Sequence, residues 1–87
     1  MTKINCEVVN QKGMHARAAA KIVAQVNQFN SQVTLCHGDR SAPGDSLIKL
    51  LTLNAPQGSM ITINSVVPDT EALLDAMKSL FASGFGE

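Results

Sequence analysis

Tryptophan and tyrosine are absent from this chain and phenylalanine occurs only three times, so its core has to be aliphatic. The same shortage removes the stacking platforms on which single-stranded nucleic acid is held. Charge of one sign is also missing. Seven Lys and Arg balance seven Asp and Glu, which excludes the basic stripe of a nucleic-acid binder. No apolar run approaches the length of a bilayer span. The start Met1-Thr2-Lys3-Ile4-Asn5 lacks the apolar segment of a signal peptide. A cytoplasmic protein with no nucleic-acid or membrane partner is expected. Cysteine is scarce: Cys6 and Cys36 make no CxxC pair, and with two histidines they form no zinc site of recognisable spacing. Both read as small sheet residues in a reducing compartment, with a disulfide as the alternative, and no metal or cofactor is expected. A chain of 87 residues, 45% of them hydrophobic, suits one domain over 1–87 and is too short for two cores.

What is present is a clear alternation of strand and helix patterns. Ile4, Cys6 and Val8 alternate with polar neighbours as in a half-buried strand, and Asn10-Gln11-Lys12-Gly13 is a loop. A helix over 16–28 follows, with apolar residues at Ala19, Ile22, Val23, Val26 and Phe29. Val33 and Leu35 alternate with Gln32, Thr34 and Cys36. His37-Gly38-Asp39-Arg40 suits a hairpin turn, where His37 is expected to be solvated. The return strand ends at Pro43-Gly44, and a proline without an N–H suits a sheet edge. Asp45 or Ser46 caps a short helix over Leu47–Leu53. Asn54 stops it in a left-handed conformation before Pro56. Met60, Ile61 and Ile63 mark a further strand. Pro68-Asp69-Thr70 opens a last helix with an apolar stripe at Ala72, Leu73, Ala76, Met77, Leu80 and Phe81, and Gly84 stops it. The order β-α-β-β-α-β-α predicts an α+β open-faced sandwich: a four-stranded antiparallel sheet covered on one face by three helices.

Two places carry chemical interest. Gly13-Met14-His15-Ala16-Arg17 puts a histidine at or beside a helix N-cap, after a glycine that permits a sharp turn. Unpaired backbone N–H groups and the positive end of the helix dipole favour an anion there. Arg17 lies close enough to share a phosphate with His15, and its fork suits that role better than lysine. The pattern fits a side chain that carries a phosphoryl group, and slightly better a polar histidine closing a loop. The second place is the short helix, where Leu47, Ile48, Leu50, Leu51 and Leu53 cover more than half the circumference. With Leu50 and Leu53 inward, Ile48 and either Leu47 or Leu51 point outward beside Lys49. That is a docking patch, unless the last helix covers it. Ser46 is by default an N-cap, and a phosphate there would add negative charge beside the patch.

Gly13-Met14-His15-Ala16-Arg17, with Ser46-Leu47-Ile48-Lys49-Leu50 at matching spacing and the same element order over nearly the whole chain, resembles the HPr family of bacterial phosphotransferase-system phosphocarriers. The resemblance implies that His15 accepts phosphoryl from enzyme I, itself charged by phosphoenolpyruvate, and passes it to a IIA-type domain. It further implies phosphate on imidazole Nδ1, with the Ala16 and Arg17 N–H groups and the Arg17 guanidinium receiving the phosphoryl oxygens. Partners would dock across Ala16, Arg17, Ala20, Leu47, Ile48, Lys49 and Leu51, which favours an exposed patch. Ser46 matches a serine that a kinase phosphorylates in some members. Such a protein is consumed and regenerated through a phosphohistidine intermediate, unlike a stand-alone enzyme, and a monomer leaves its docking surface free.

The chain departs from the family pattern at several positions. Ala18 replaces the usual proline of the first helical turn, where proline pre-sets the backbone. Asn54 replaces a common glycine, Pro43-Gly44-Asp45 is an unusual approach to the second helix, and Ala24 and Asn27 replace lysines frequent in sugar-branch carriers. Met14-His15-Ala16-Arg17 and the ending Ser83-Gly84-Phe85-Gly86-Glu87 look more like the nitrogen-related branch than the sugar-uptake branch. Two other readings remain: a regulatory module that docks through the second helix without relaying phosphate, and a small-molecule-binding domain, against which the missing glycine-rich phosphate loop argues.

Overall fold

A computed structural model of the chain describes residues 2–29, 32–65 and 71–86. The elements run β1 (Thr2–Glu7), α1 (Ala16–Phe29), β2 (Thr34–His37), β3 (Arg40–Pro43), α2 (Leu47–Leu51), β4 (Met60–Ser65) and α3 (Glu71–Ala82), followed by a 3-10 turn at Gly84–Gly86. The four strands form one antiparallel sheet in the order β1-β4-β2-β3. Pro43 ends β3, the edge strand, where its missing N–H breaks no ladder.

Register explains why this sheet is one-sided. Ile63 stands opposite both Ile4 and Leu35, and Leu35 stands opposite Ala42, so one apolar row crosses all four strands. Leu35, Ile61, Ile63 and Ala42 are buried in the core, with Ile4 packed against it. The neighbouring row alternates to the other face and is polar: Asn5 opposite Thr62, Thr62 opposite Cys36, Cys36 opposite Ser41. Thr62 Oγ1 donates to Asn5 Oδ1 at 2.8 Å. With a side-chain period of 2, the pattern itself decides which face receives the helices.

The helices meet that apolar row as amphipathic stripes, with two shifts from the sequence pattern. In α1 the fully buried residues are Ala18, Ala19, Ile22 and Val26, while Val23 and Phe29 are half-buried. In α3 they are Leu73, Leu74, Met77 and Phe81; Leu74 joins the stripe and Ala72 leaves it. Packing of α3 on both α1 and β1 sets that rotation, which a wheel drawn for an isolated helix does not contain. The proposed Pro68-Asp69-Thr70 start of α3 lies outside the described residues. The second helix is shorter than expected: it ends at Leu51, with Thr52 and Leu53 forming a turn. The Thr52 N–H already bonds the Lys49 and Leu50 carbonyls, tightening the end. Asn54 is left-handed at φ 49, as its position suggests.

Candidate functional site

The loop that delivers His15 is built from the inside. Asn10 is buried and its side-chain amide donates to the Gly13 carbonyl at 2.9 Å. Gly13 adopts φ 65, and a Cβ there would lie 2.4 Å from the Ala55 carbonyl oxygen and 2.9 Å from Pro56 Cα. Both neighbours are backbone, so only glycine lets the two segments approach. The Met14 N–H donates to that same Ala55 carbonyl at 2.8 Å, and the Met14 side chain joins the core. His15 therefore follows a segment tied to the chain leaving α2.

His15 is the N-cap of α1. Its carbonyl accepts the first intrahelical bond, from the Ala19 N–H at 2.9 Å, and its ring replaces the hydroxyl of a Ser or Thr cap. The Arg17 N–H, at the second helical position, donates to His15 Nδ1 at 3.3 Å. An atom that accepts a hydrogen bond carries a lone pair, so Nδ1 is unprotonated in this arrangement and a neutral ring carries its hydrogen on Nε2. His15 is half-buried, while Ala16 and Arg17 are exposed. Arg17 also lines an open cleft of about 500 Å³ between residues 9–12 and 82–84. A ring nitrogen with a lone pair thus stands at the positive end of a helix, beside exposed residues.

The expected partner-binding residues divide between two adjoining helices, since α2 packs on α1 and on β3. Leu50 and Leu53 are fully buried, Leu51 is half-buried, Leu47 is 39% exposed and Ile48 is 70% exposed. Lys49 and Ala20 are exposed as well. The last helix therefore leaves Ile48 uncovered. Ser46 caps α2, its Oγ accepting from the Lys49 N–H at 3.3 Å.

Three side chains take places that the sequence pattern does not show. His37 is not a solvated turn residue: it is half-buried at the end of β2, and its Nδ1 lies 2.9 Å from the Leu53 carbonyl oxygen. Sequence distance concealed this, because hairpin and helix end meet only in the folded chain. Lys21, half-buried on α1, donates through Nζ to the Phe85 carbonyl. Phe85, for which the pattern offered only a tail, is fully buried 4.8 Å from the Phe81 ring at a tilt of 59°. Three successive left-handed residues, Gly84, Phe85 and Gly86, fold it back; the two flanking glycines were the available signal. Among the described residues no helix is long and apolar enough to cross a membrane.

Fold and site together define an open-faced α+β sandwich that presents an imidazole at a helix N-terminus beside a helix with an exposed apolar residue, Ile48. Comparison with known proteins gives that class its family. The family described as "PTS HPr component phosphorylation site" matches residues 2–83. The chain is 44% identical over 81 residues to phosphocarrier protein NPr of Proteus mirabilis, covering 92% of this chain and 90% of that one. It is 33% identical over 87 residues to phosphocarrier protein HPr of Cupriavidus necator, covering 100% and 98%. Among solved structures, HPr-C-His from Thermoanaerobacter tengcongensis superposes with a TM-score of 0.91 at 29% identity, covering 100% and 98%. The chain belongs to the HPr family, the phosphocarriers of the phosphotransferase system.

Proposed function

We propose that His15 is the phosphoryl acceptor, taking the group from enzyme I charged by phosphoenolpyruvate and passing it to a IIA-type protein. The observation that carries this reading is the hydrogen bond from the Arg17 N–H to His15 Nδ1, which keeps a lone pair on the ring nitrogen that faces the helix N-terminus. In the step, the Arg17 N–H releases Nδ1 and turns to a phosphoryl oxygen. The freed Nδ1 lone pair forms a bond to phosphorus as the bond to the donor breaks, and the leaving pair departs with the donor. Hydrogen stays on Nε2 throughout, so the phosphorylated ring is cationic and remains a good leaving group for the next transfer. The Ala16 and Arg17 N–H groups and the helix dipole meet the phosphoryl oxygens, and the Arg17 guanidinium offsets their charge. An open site holds the group without trapping it.

Docking of both partners falls to Ala16, Arg17, Ala20, Leu47, Ile48, Lys49 and Leu51, an interface at the small end that forms and separates quickly. A monomer keeps this face free, although one solved relative is titled an HPr dimer. The protein works in the cytoplasm as one domain over 1–87. Relatives named NPr, from Proteus mirabilis at 44% and Escherichia coli at 36% identity, support the nitrogen-related branch. Ser46 phosphorylation by a serine kinase would set negative charge at the head of α2 and weaken docking.

The test is incubation of the purified protein with a cognate enzyme I and phosphoenolpyruvate, read by intact mass and phosphorus NMR. One acid-labile phosphate on Nδ1, lost in His15→Ala, supports the relay. An unmodified protein beside a demonstrably active enzyme I would leave only the docking-module reading.

A further inference from the structure

We infer that His37 and Arg40 are positioning residues for the docking face, acting through the C-terminal end of α2. The inference rests on the reading that α2 docks partners. A helix of five residues, Leu47–Leu51, is far below the length at which a helix sustains itself in water. Its own last carbonyls are met locally, Lys49 by the Thr52 N–H, Leu50 by Leu53 and Leu51 by Asn54, but the Thr52 and Leu53 carbonyls of the turn that follows take donors from outside the helix. Those donors come from the tip of the β2–β3 hairpin. His37 and Arg40 face each other directly across the ladder, joined by Gly38 and Asp39 alone, with Gly38 at φ 61. A tight two-residue turn of this kind holds the facing pair close together.

From there the Arg40 guanidinium donates through Nη1 to the Thr52 carbonyl at 2.9 Å. His37 Nδ1 stands at 2.9 Å from the next carbonyl, Leu53. A carbonyl has no proton to give, so Nδ1 donates and carries the hydrogen. Two successive carbonyls of the turn that closes α2 are thus held from one hairpin tip, and one of the bonds is charge-assisted. At the other end Ser46 caps Lys49. Between these clamps Leu50 is anchored in the core while Ile48 stays 70% exposed. An exposed isoleucine on one and a half turns of helix has a defined orientation only if both ends are held. The hairpin supplies the second end, so its residues set the shape of a surface they do not form.

The experiment compares wild type with His37→Ala/Arg40→Ala, His37→Gln and Ile48→Glu. Each is phosphorylated by cognate enzyme I over a range of carrier concentrations, and separately by phosphoramidate, a small donor that needs no docking. Amide exchange of residues 52–54 reports the helix end. Losing two hydrogen bonds of ordinary net strength predicts a KM for the carrier raised roughly tenfold in the double variant. The phosphoramidate rate and kcat should be unchanged, exchange at 52–54 faster, and exchange in β1 and β4 unaltered. His37→Gln, which keeps an amide donor, should recover most of the KM. Ile48→Glu raising KM while the double variant leaves it unchanged would overturn the positioning role and leave docking intact. No KM change in Ile48→Glu would overturn the docking reading itself, and this inference with it.

Discussion

His15 and His37 both abut a helix terminus, but the two termini carry opposite partial charge and the two rings answer them in opposite ways. At the head of α1 the exposed groups are N–H donors, and His15 Nδ1 accepts one of them, from Arg17. In the turn that closes α2 the group on offer is a carbonyl, and His37 Nδ1 donates to it, at Leu53. The same atom of the same side chain is therefore a lone pair in one place and an N–H in the other. Nothing about the two residue types predicts this; the polarity of the nearest helix end does. On the proposed reading the difference is between a nucleophile and a strut, and a phosphoryl donor should distinguish them without any help from a pocket.

The largest expected effect tests that distinction directly. His15→Ala should lower phosphorylation by enzyme I by at least about a thousandfold, as removal of a nucleophile does. His37→Ala should still take up one phosphate, on His15. Two phosphates on wild type, or one that survives His15→Ala and disappears in His37→Ala, would break the comparison.

Next come the glycines that lead the chain past each ring. Gly13 and Gly38 both have positive φ, but a Cβ at Gly13 would strike the backbone of Ala55 and Pro56, whereas none of the neighbours of Gly38 comes within 4 Å of one. Gly13→Ala should therefore cost about 2–4 kcal/mol and lower Tm by roughly 10 °C or more. Gly38→Ala carries the left-handed penalty alone, about 1 kcal/mol. Thermal melts of both variants measure the gap, and equal losses would show that contact with Ala55–Pro56 does not hold the His15 loop.

The third test concerns α2, whose N-cap is a conventional one. Ser46→Ala removes the acceptor for the Lys49 N–H and should cost about 1 kcal/mol, or roughly 4–8 °C in Tm. Ser46→Asp keeps a capping oxygen and should hold Tm, while its charge beside Ile48 raises KM with enzyme I. A loss of stability in Ser46→Asp equal to that of Ser46→Ala would show that capping is not what Ser46 does.

The smallest effect follows the strands that lead to each histidine. Cys6 on β1 is buried and Cys36 on β2 is half-buried, with Asn64 Nδ2 at 3.6 Å from the Cys36 sulfur. Burial pushes the Cys6 thiol above its ordinary value, with Lys78 opposing the shift. A thiol is neutral when protonated, so a raised value in the fold means stability complete at neutral pH. That stability declines as pH rises above about 8.5, where the unfolded thiol ionises. Denaturation midpoints for wild type and Cys6→Ala should converge with rising pH through that range. A thiol reagent at neutral pH should modify Cys36 before Cys6.

Much of this was legible before folding. Periodicity located all four strands and the long helices, and register of the apolar positions implied one covered sheet face. Gly13-Met14-His15-Ala16-Arg17 marked the helix head because glycine before a helical pattern and a polar cap are local signals. The burial of Leu50 and Leu53 with Ile48 outward also followed from the wheel, since five apolar residues cannot all face one sheet. The two-residue overextension of α2 and the rotation of α3 toward Leu74 were not legible. Both depend on what the helix meets.

The chain by itself determined its element order, its one-sided sheet and the candidate site at His15, because each rests on neighbours within a few residues. Only the tertiary structure decided the roles of His37, Arg40, Lys21 and Phe85. Their partners lie 16, 12 and 64 residues away for His37, Arg40 and Lys21, and Phe85 is held by a left-handed turn that closes onto Phe81. A hydrogen bond between distant segments leaves no periodic trace in the sequence; it exists only once the core has brought a donor to a carbonyl in a distant turn.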